Sequence, residues 1–211
     1  ELKVAFINLF ELLLEMLNPD QQAKVAATQT ASRARQMPVD LPAALAWQAG
    51  WDWALYGPII RYGLLQPAPL LAANLDRDEI MTIYRTQPRL PAGQATQASV
   101  QAALLAQIET SHCGLLPAAQ LPAMLAVQHQ RDRRMAERLL AAPTPAVLLA
   151  GGFHVRRDLG VPLHLQDLAA PGGTERVLIL AEVGQAVSAE RADFVWYTPA
   201  LPAQDHCASM R

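Results

Sequence analysis

The segment Ala146-Val-Leu-Leu-Ala-Gly-Gly-Phe-His-Val-Arg-Arg-Asp158 constrains the fold more than any other. Its opening apolar run lacks polar alternation, which predicts a strand buried on both faces, and Pro143 and Pro145 stop the preceding helix. Gly151-Gly152 then lets the backbone leave the sheet through conformations other residues avoid. That break places Phe153, His154, Arg156, Arg157 and Asp158 beyond the strand's carboxyl end, where open α/β sheets bind ligands.

The same grammar recurs along the chain. Leu12 to Met16 reads as a buried strand carrying Glu15 near its end, and Asn18-Pro-Asp-Gln21 follows as an N-cap, a first-turn proline and a capping-box glutamine. Pro69 to Leu75 is a second apolar run, closing on Asn74, and Asp76 to Glu79 has the spacing of another cap. Val177–Ala181 and Phe194–Thr198 predict further strands, with a turn at Pro171-Gly-Gly173. Residues 36–66, which contain Trp47, Trp51, Trp53, Tyr56 and Tyr62, and residues 99–142 predict helices; the Pro- and Gly-bearing stretch 86–98 predicts a loop or hinge.

Strands alternating with helices predict an α/β fold. The expected architecture is a mainly parallel sheet flanked by helices, with an added α-helical sub-domain, all within a single domain over 1–211. In the helix before Pro143, Leu121, Leu125, Gln128, Asp132, Met135 and Leu139 share one face. Two polar residues on an apolar stripe mean either a rotated, partly exposed helix or a buried polar network.

A net charge of -2 offers nothing to attract nucleic acid or anionic lipid. Leu2 to Leu17 is apolar but interrupted by Lys3, Asn8, Glu11 and Glu15, so it falls short of a membrane span. Cys113 and Cys207 are free thiols or one bridge, which leaves the redox compartment open. No basic n-region or lipidation cysteine precedes Glu1, which fits a cytosolic protein or one shown without its targeting segment. Dinucleotide, Walker, zincin, nucleophile-elbow and Cys-x-x-Cys motifs do not occur. Ser111-His112-Cys113 suggests a nucleophile with its base, but sequence neighbours on a helix do not face each other.

Glu15, Asn74 and His154 follow three candidate strands, and parallel neighbours would turn all three toward one crevice. Each has a plainer reading as a hydrogen-bonded structural residue or a helix-dipole partner. Arg156 and Arg157 beside His154 suit a carboxylate or phosphate; a solvated pair is the plainer alternative.

The run Ala150 to His164 resembles the signature segment of the ChaN-like haem-binding lipoproteins, related to the Tiki proteases and erythromycin esterases. Glu15 to Gln22, Trp53-Ala-Leu-Tyr-Gly-Pro58, Ala73-Asn-Leu75, His112-Cys-Gly114, Gln128 with Arg131, Asp132 and Met135, and Asp193 to Pro199 resemble family blocks in the same order. The resemblance implies a haem-binding protein of bacterial iron uptake, anchored to the outer membrane by an N-terminal lipid and supplied by an outer-membrane haem receptor. It further implies haem held between the subunits of a homodimer with a tyrosine on the iron, a ligand that suits ferric haem as in catalase. Of Tyr56, Tyr62, Tyr84 and Tyr197, Tyr56 lies in a matching block among tryptophans fit to flank a porphyrin. Its plainer reading is a core aromatic of an amphipathic helix. His154, Arg156 and Arg157 are then the propionate partners.

The superfamily's Gly-Glu-x-x-His type motif has no counterpart before Glu15, which is the expectation for a chain that begins late or diverges. The rival reading is a metal-dependent hydrolase using Glu15 and His154 as metal ligands or as acid and base. A third is an interaction protein whose aromatic helices bind a partner.

Overall fold

A computed structural model describes residues 11–169 and 175–200, together with 202, 205, 207 and 208. The turn expected at 171–173 and most of the apolar stretch before Glu11 lie outside these residues. The chain divides into two compact units, 1–76 with 138–150 and 77–137 with 151–211.

The first unit is built on a three-stranded parallel sheet of β1 (Glu11–Leu14), β2 (Leu70–Ala72) and β3 (Ala146–Leu149), in the order β2-β1-β3. β1 is the central strand, and Leu13 and Leu14 are fully buried. β3, expected to be buried on both faces, is half-buried along its length, because among the described strands it has a neighbour on one side only. The sequence pattern gives strand identity without sheet order, since an apolar run fits an edge or a centre alike.

Asn18 and Gln21 make the expected turn: Gln21 Oε1 accepts from the Asn18 N–H at 3.0 Å across the short 3-10 turn Pro19–Gln21. It leads into α1 (Gln22–Arg33). α1 dresses β2 with amides in place of a neighbouring strand. Gln22 donates to Leu70 O at 3.0 Å and accepts from Ala72 N at 2.7 Å, while Gln29 accepts from Leu70 N at 3.2 Å. Backbone groups that would otherwise be left unpaired are thereby satisfied. The predicted helical stretch 36–66 contains α2 (Leu41–Ala44) and α3 (Trp53–Leu65). Leu12, Leu14, Leu17, Val25, Leu41, Leu45, Ile60 and Leu64 form the core between sheet and helices.

The second unit contains α4 (Arg77–Thr86), α5 (Ala98–Ser111), α6 (Leu121–Ala141, its last turn counted with the first unit) and α7 (Val161–Leu168). Residues 87–97 form the expected loop. A two-stranded parallel sheet pairs β4 (Leu178–Glu182) with β5 (Phe194–Thr198). Val100, Leu104 and Leu159 form a core with Leu125 and Leu163 packed against it. Cys113 and Cys207 are joined in a disulfide, which resolves the cysteine alternatives. Among the described residues, no helix is long and apolar enough to cross a membrane.

Candidate functional site

In the first unit the tryptophans build a rigid aromatic corner. Asp52 caps α3 by accepting from Ala54 N at 2.8 Å, which fixes where the helix starts and so where Trp53 and Tyr56 point. Trp47 Nε1 donates to Trp51 O at 2.7 Å, and the Trp47 ring meets Trp53 edge-on with centroids 5.0 Å apart. Trp53 lies against Gly57, where a Cβ would sit 2.8 Å from the indole, so the glycine makes room for the ring one turn on.

Tyr56 is half-buried and meets Trp51 edge-on at 5.2 Å between centroids. Its ring packs against the core, yet its hydroxyl makes no hydrogen bond among the described residues. Next to it on α3, Leu55 is 66% exposed and Ile59 38% exposed, one turn apart on a shared apolar face. Arg61 stands over Trp53 at 6.0 Å and forms no ion pair among the described residues. A phenolic oxygen without a protein partner, an apolar surface and a cation together form a donor set that fits haem: an oxygen for ferric iron, a face for the porphyrin and a charge for a propionate.

Glu15 and Asn74 come together in this unit. The Asn74 amide donates to Glu15 O at 3.0 Å and its Oδ1 accepts from Leu75 N at 2.8 Å, while Glu15 N donates to Leu149 O at 3.1 Å. Asn74 therefore clasps the strand ends with its side chain. The Glu15 side chain is buried as well.

His154 belongs to the second unit, where it is buried. A turn closed by His154 N on Gly151 O at 2.9 Å presents it to α6. Its Nδ1 is bonded to Asp132 Oδ1, and Gln128 Nε2 lies 3.1 Å from the same nitrogen. The two polar residues on the α6 stripe are thus a buried network, and Asp132 is fully enclosed. Gly160 makes the geometry possible: a Cβ there would lie 2.0 Å from His154 O, so only glycine lets the chain cross this close.

Arg156 forms a two-pronged pair with Asp158, Nε to Oδ1 at 2.8 Å and Nη2 to Oδ2 at 2.5 Å. Burial pushes the Asp158 carboxyl up, but the hydrogen bond and charge of Arg156, its own backbone N–H and Arg191 outweigh this and hold it below the usual range. Arg157 contacts Asp193 at 3.1 Å, and Asp193 also accepts from Val177 N at 2.8 Å. Both arginines expected to meet propionates therefore have acidic partners within their own unit. His112 bonds to Ile108 O at 2.8 Å and Cys113 is in the disulfide, so Ser111-His112-Cys113 is no nucleophile with its base. Among the described residues, no group of three or more His, Cys, Asp or Glu is placed to hold a metal ion.

One pair escaped the sequence reading. His129 on α6 and His164 on α7 meet edge-on with ring centroids 5.7 Å apart, both buried. Among the described residues, neither nitrogen of His129 nor Nε2 of His164 has a hydrogen-bond partner. Burial lowers the pKa of His129. His164 is pushed down to about 4, by burial first and then by His129, with an opposing pull from Asp167 and a lesser push down from Arg133. The signal available in the sequence was a histidine in the apolar Val161-Pro-Leu-His-Leu165, which does not name its partner.

Residues 5–165 match the family described as haem-binding uptake, Tiki superfamily, ChaN. The chain belongs to this family. The match contains Glu15, Tyr56, Asn74, His154, Arg156 and Arg157, and ends before β4. A solved structure described as cofacial haem binding to ChaN of Campylobacter jejuni is similar in fold, with a TM-score of 0.75 and 28% sequence identity. The similarity covers 88% of this chain and 72% of the ChaN chain. No curated protein matches. The family and this structural neighbour are haem-binding, and the α/β fold with a parallel sheet flanked by helices is the one expected.

Proposed function

We propose that this ChaN-family chain binds haem for bacterial iron uptake, with Tyr56 on the iron and the haem enclosed between two copies of the chain. The observation that carries this reading is the Tyr56 hydroxyl, which has no hydrogen-bond partner among the described residues, held rigidly beside the exposed Leu55 and Ile59. Haem when bound supplies a ferric centre that accepts a hard anionic oxygen. The chain's own part is to orient the Tyr56 ring through Trp51, to offer α3 as an apolar face and to keep Arg61 at hand for a propionate. Burial of the apolar α3 face against a second copy would exclude water from the phenolate.

The disulfide supports a place in the oxidising cell envelope, and we extend the proposal to an outer-membrane-anchored lipoprotein receiving haem from an outer-membrane receptor. A second reading as a hydrolase rests on the buried Gln128–His154–Asp132 network, which resembles an oriented histidine base.

The test is a haemin titration followed by absorbance and by sedimentation velocity. Saturable Soret development with conversion to a dimer is the expected result. Ester or peptide turnover without haem uptake would favour the hydrolase.

A further inference from the structure

The second unit holds a cavity of about 390 Å³, lined by α6, α5 and the loop 87–97. That volume lies in the range of small-molecule sites, which are roughly 300–1,000 Å³. Its walls mix the two kinds of surface: Leu90 from the loop and Pro122, Leu125 and Ala126 from α6 make an apolar side, and Gln87, Arg89, Thr96, Gln101 and His129 supply polar groups. His129 closes one side with a ring whose nitrogens have no partner among the described residues. Arg89 stands at the lining exposed to solvent, and its guanidinium makes no ion pair or hydrogen bond among the described residues. Among the described residues, no acidic one lines the cavity.

The loop that carries Arg89 is fixed at its far end. The Asp167 carboxylate accepts from Gln94 N at 2.6 Å and Ala95 N at 3.0 Å, and Gln101 donates to Thr96 O at 2.6 Å. The Thr96 side of the rim is thereby held in place, so a ligand entering the cavity has little to order there. A cation without a partner beside the apolar wall, with no carboxylate among the described lining residues, selects for a molecule with a single negative head and an apolar body.

We propose that this cavity binds a small amphipathic organic monoanion, with its carboxylate on Arg89 and its hydrocarbon body against Leu90, Pro122, Leu125 and Ala126. The site is independent of the haem reading, because it uses none of the residues around Tyr56.

Octanoate is the probe, with octanamide and octylammonium as its uncharged and cationic counterparts. Each is titrated into the purified chain by calorimetry, and the ring protons of His129 are followed by NMR as a local reporter. Octanoate is expected to bind saturably at millimolar concentration or below and to shift the His129 ring signals. Octanamide and the Arg89→Gln variant should each weaken binding about tenfold or more, and octylammonium should not bind. Ala126→Phe, which fills the chamber, should abolish the shift. If that variant fails to fold by circular dichroism, the exposed Arg89→Gln still decides the matter. Absence of saturable octanoate binding, equal binding of octylammonium, or affinity unchanged in Arg89→Gln would overturn the proposal.

Discussion

Acid should loosen the packing of α6 on α7, and His164 sets the size of the effect. His164 is 1% exposed and its folded-state pKa is pushed from 6.5 to about 4. The folded-state value is depressed, so above 6.5 both folded and unfolded chains hold a neutral imidazole and no stability is at stake. As pH falls below 6.5 the unfolded chain takes up a proton that the folded chain refuses, and stability drops by at most about 1.4 kcal/mol per pH unit for this group. The loss ends near pH 4, where folded His164 also protonates. A displacement of this size corresponds to about 3 kcal/mol, a large share of the stability of an ordinary domain. His129 adds to the loss in the same direction. Asp158 does not contribute in this window, because a carboxyl held below its usual value of 3.8 loses its stabilising effect only in stronger acid. His164→Leu keeps an apolar side chain of similar size and removes both the titration and the unpartnered Nε2. Urea unfolding at about pH 7 and about pH 4.5, read by circular dichroism, compares the two proteins. His164→Leu should lose about 2.4 kcal/mol less than wild type over that interval. An equal loss in both would refute the reasoning, since the acid sensitivity would then lie in other groups.

Other perturbations give equally direct readouts. Gly160→Ala forces a Cβ to 2.0 Å from His154 O, a backbone atom that cannot move cheaply. It should cost about 3 kcal/mol, measured as a fall in Tm, with Gly152→Ala, whose Cβ would meet nothing within 4 Å, as the control. Asp132→Ala leaves buried His154 without its acidic partner and should cost about 3 kcal/mol, while Asp132→Asn, which preserves the shape, should cost less in the same melt. Cys113→Ser opens a bridge between residues 94 apart and should lower stability by up to about 5 kcal/mol, with reductant producing the same fall in wild type and none in the variant.

The elements were legible where local chemistry speaks. Apolar runs and the Asn18–Gln21 turn marked β1, β2, β3 and the start of α1, because burial and capping leave their mark within a few residues. Period also exposed the Gln128 and Asp132 pair, since two polar residues on an apolar stripe must find a partner, and His154 is that partner. Long-range pairing was not legible. The order β2-β1-β3, the separate β4–β5 sheet, the His129–His164 contact and the Cys113–Cys207 bridge depend on which segments meet, and no periodicity records that. Tyr56 was singled out by lying among tryptophans, and of these Trp51 meets it edge-on while Trp53 meets Trp47. Arg156 and Arg157 looked available in the sequence. Asp158 stood two residues away in plain view, whereas Asp193 came from a distant segment.

The most direct test of the haem reading is the ferric spectrum of the haemin-loaded chain with and without the Tyr56 hydroxyl. Wild type should give a saturable high-spin Soret band with a phenolate-to-iron charge-transfer band, and a resonance Raman signature of tyrosinate. Tyr56→Phe, folded as judged by circular dichroism, should lose both and bind haemin at least about tenfold more weakly. A tyrosinate spectrum that persists unchanged in Tyr56→Phe would contradict the account and move the iron to another residue.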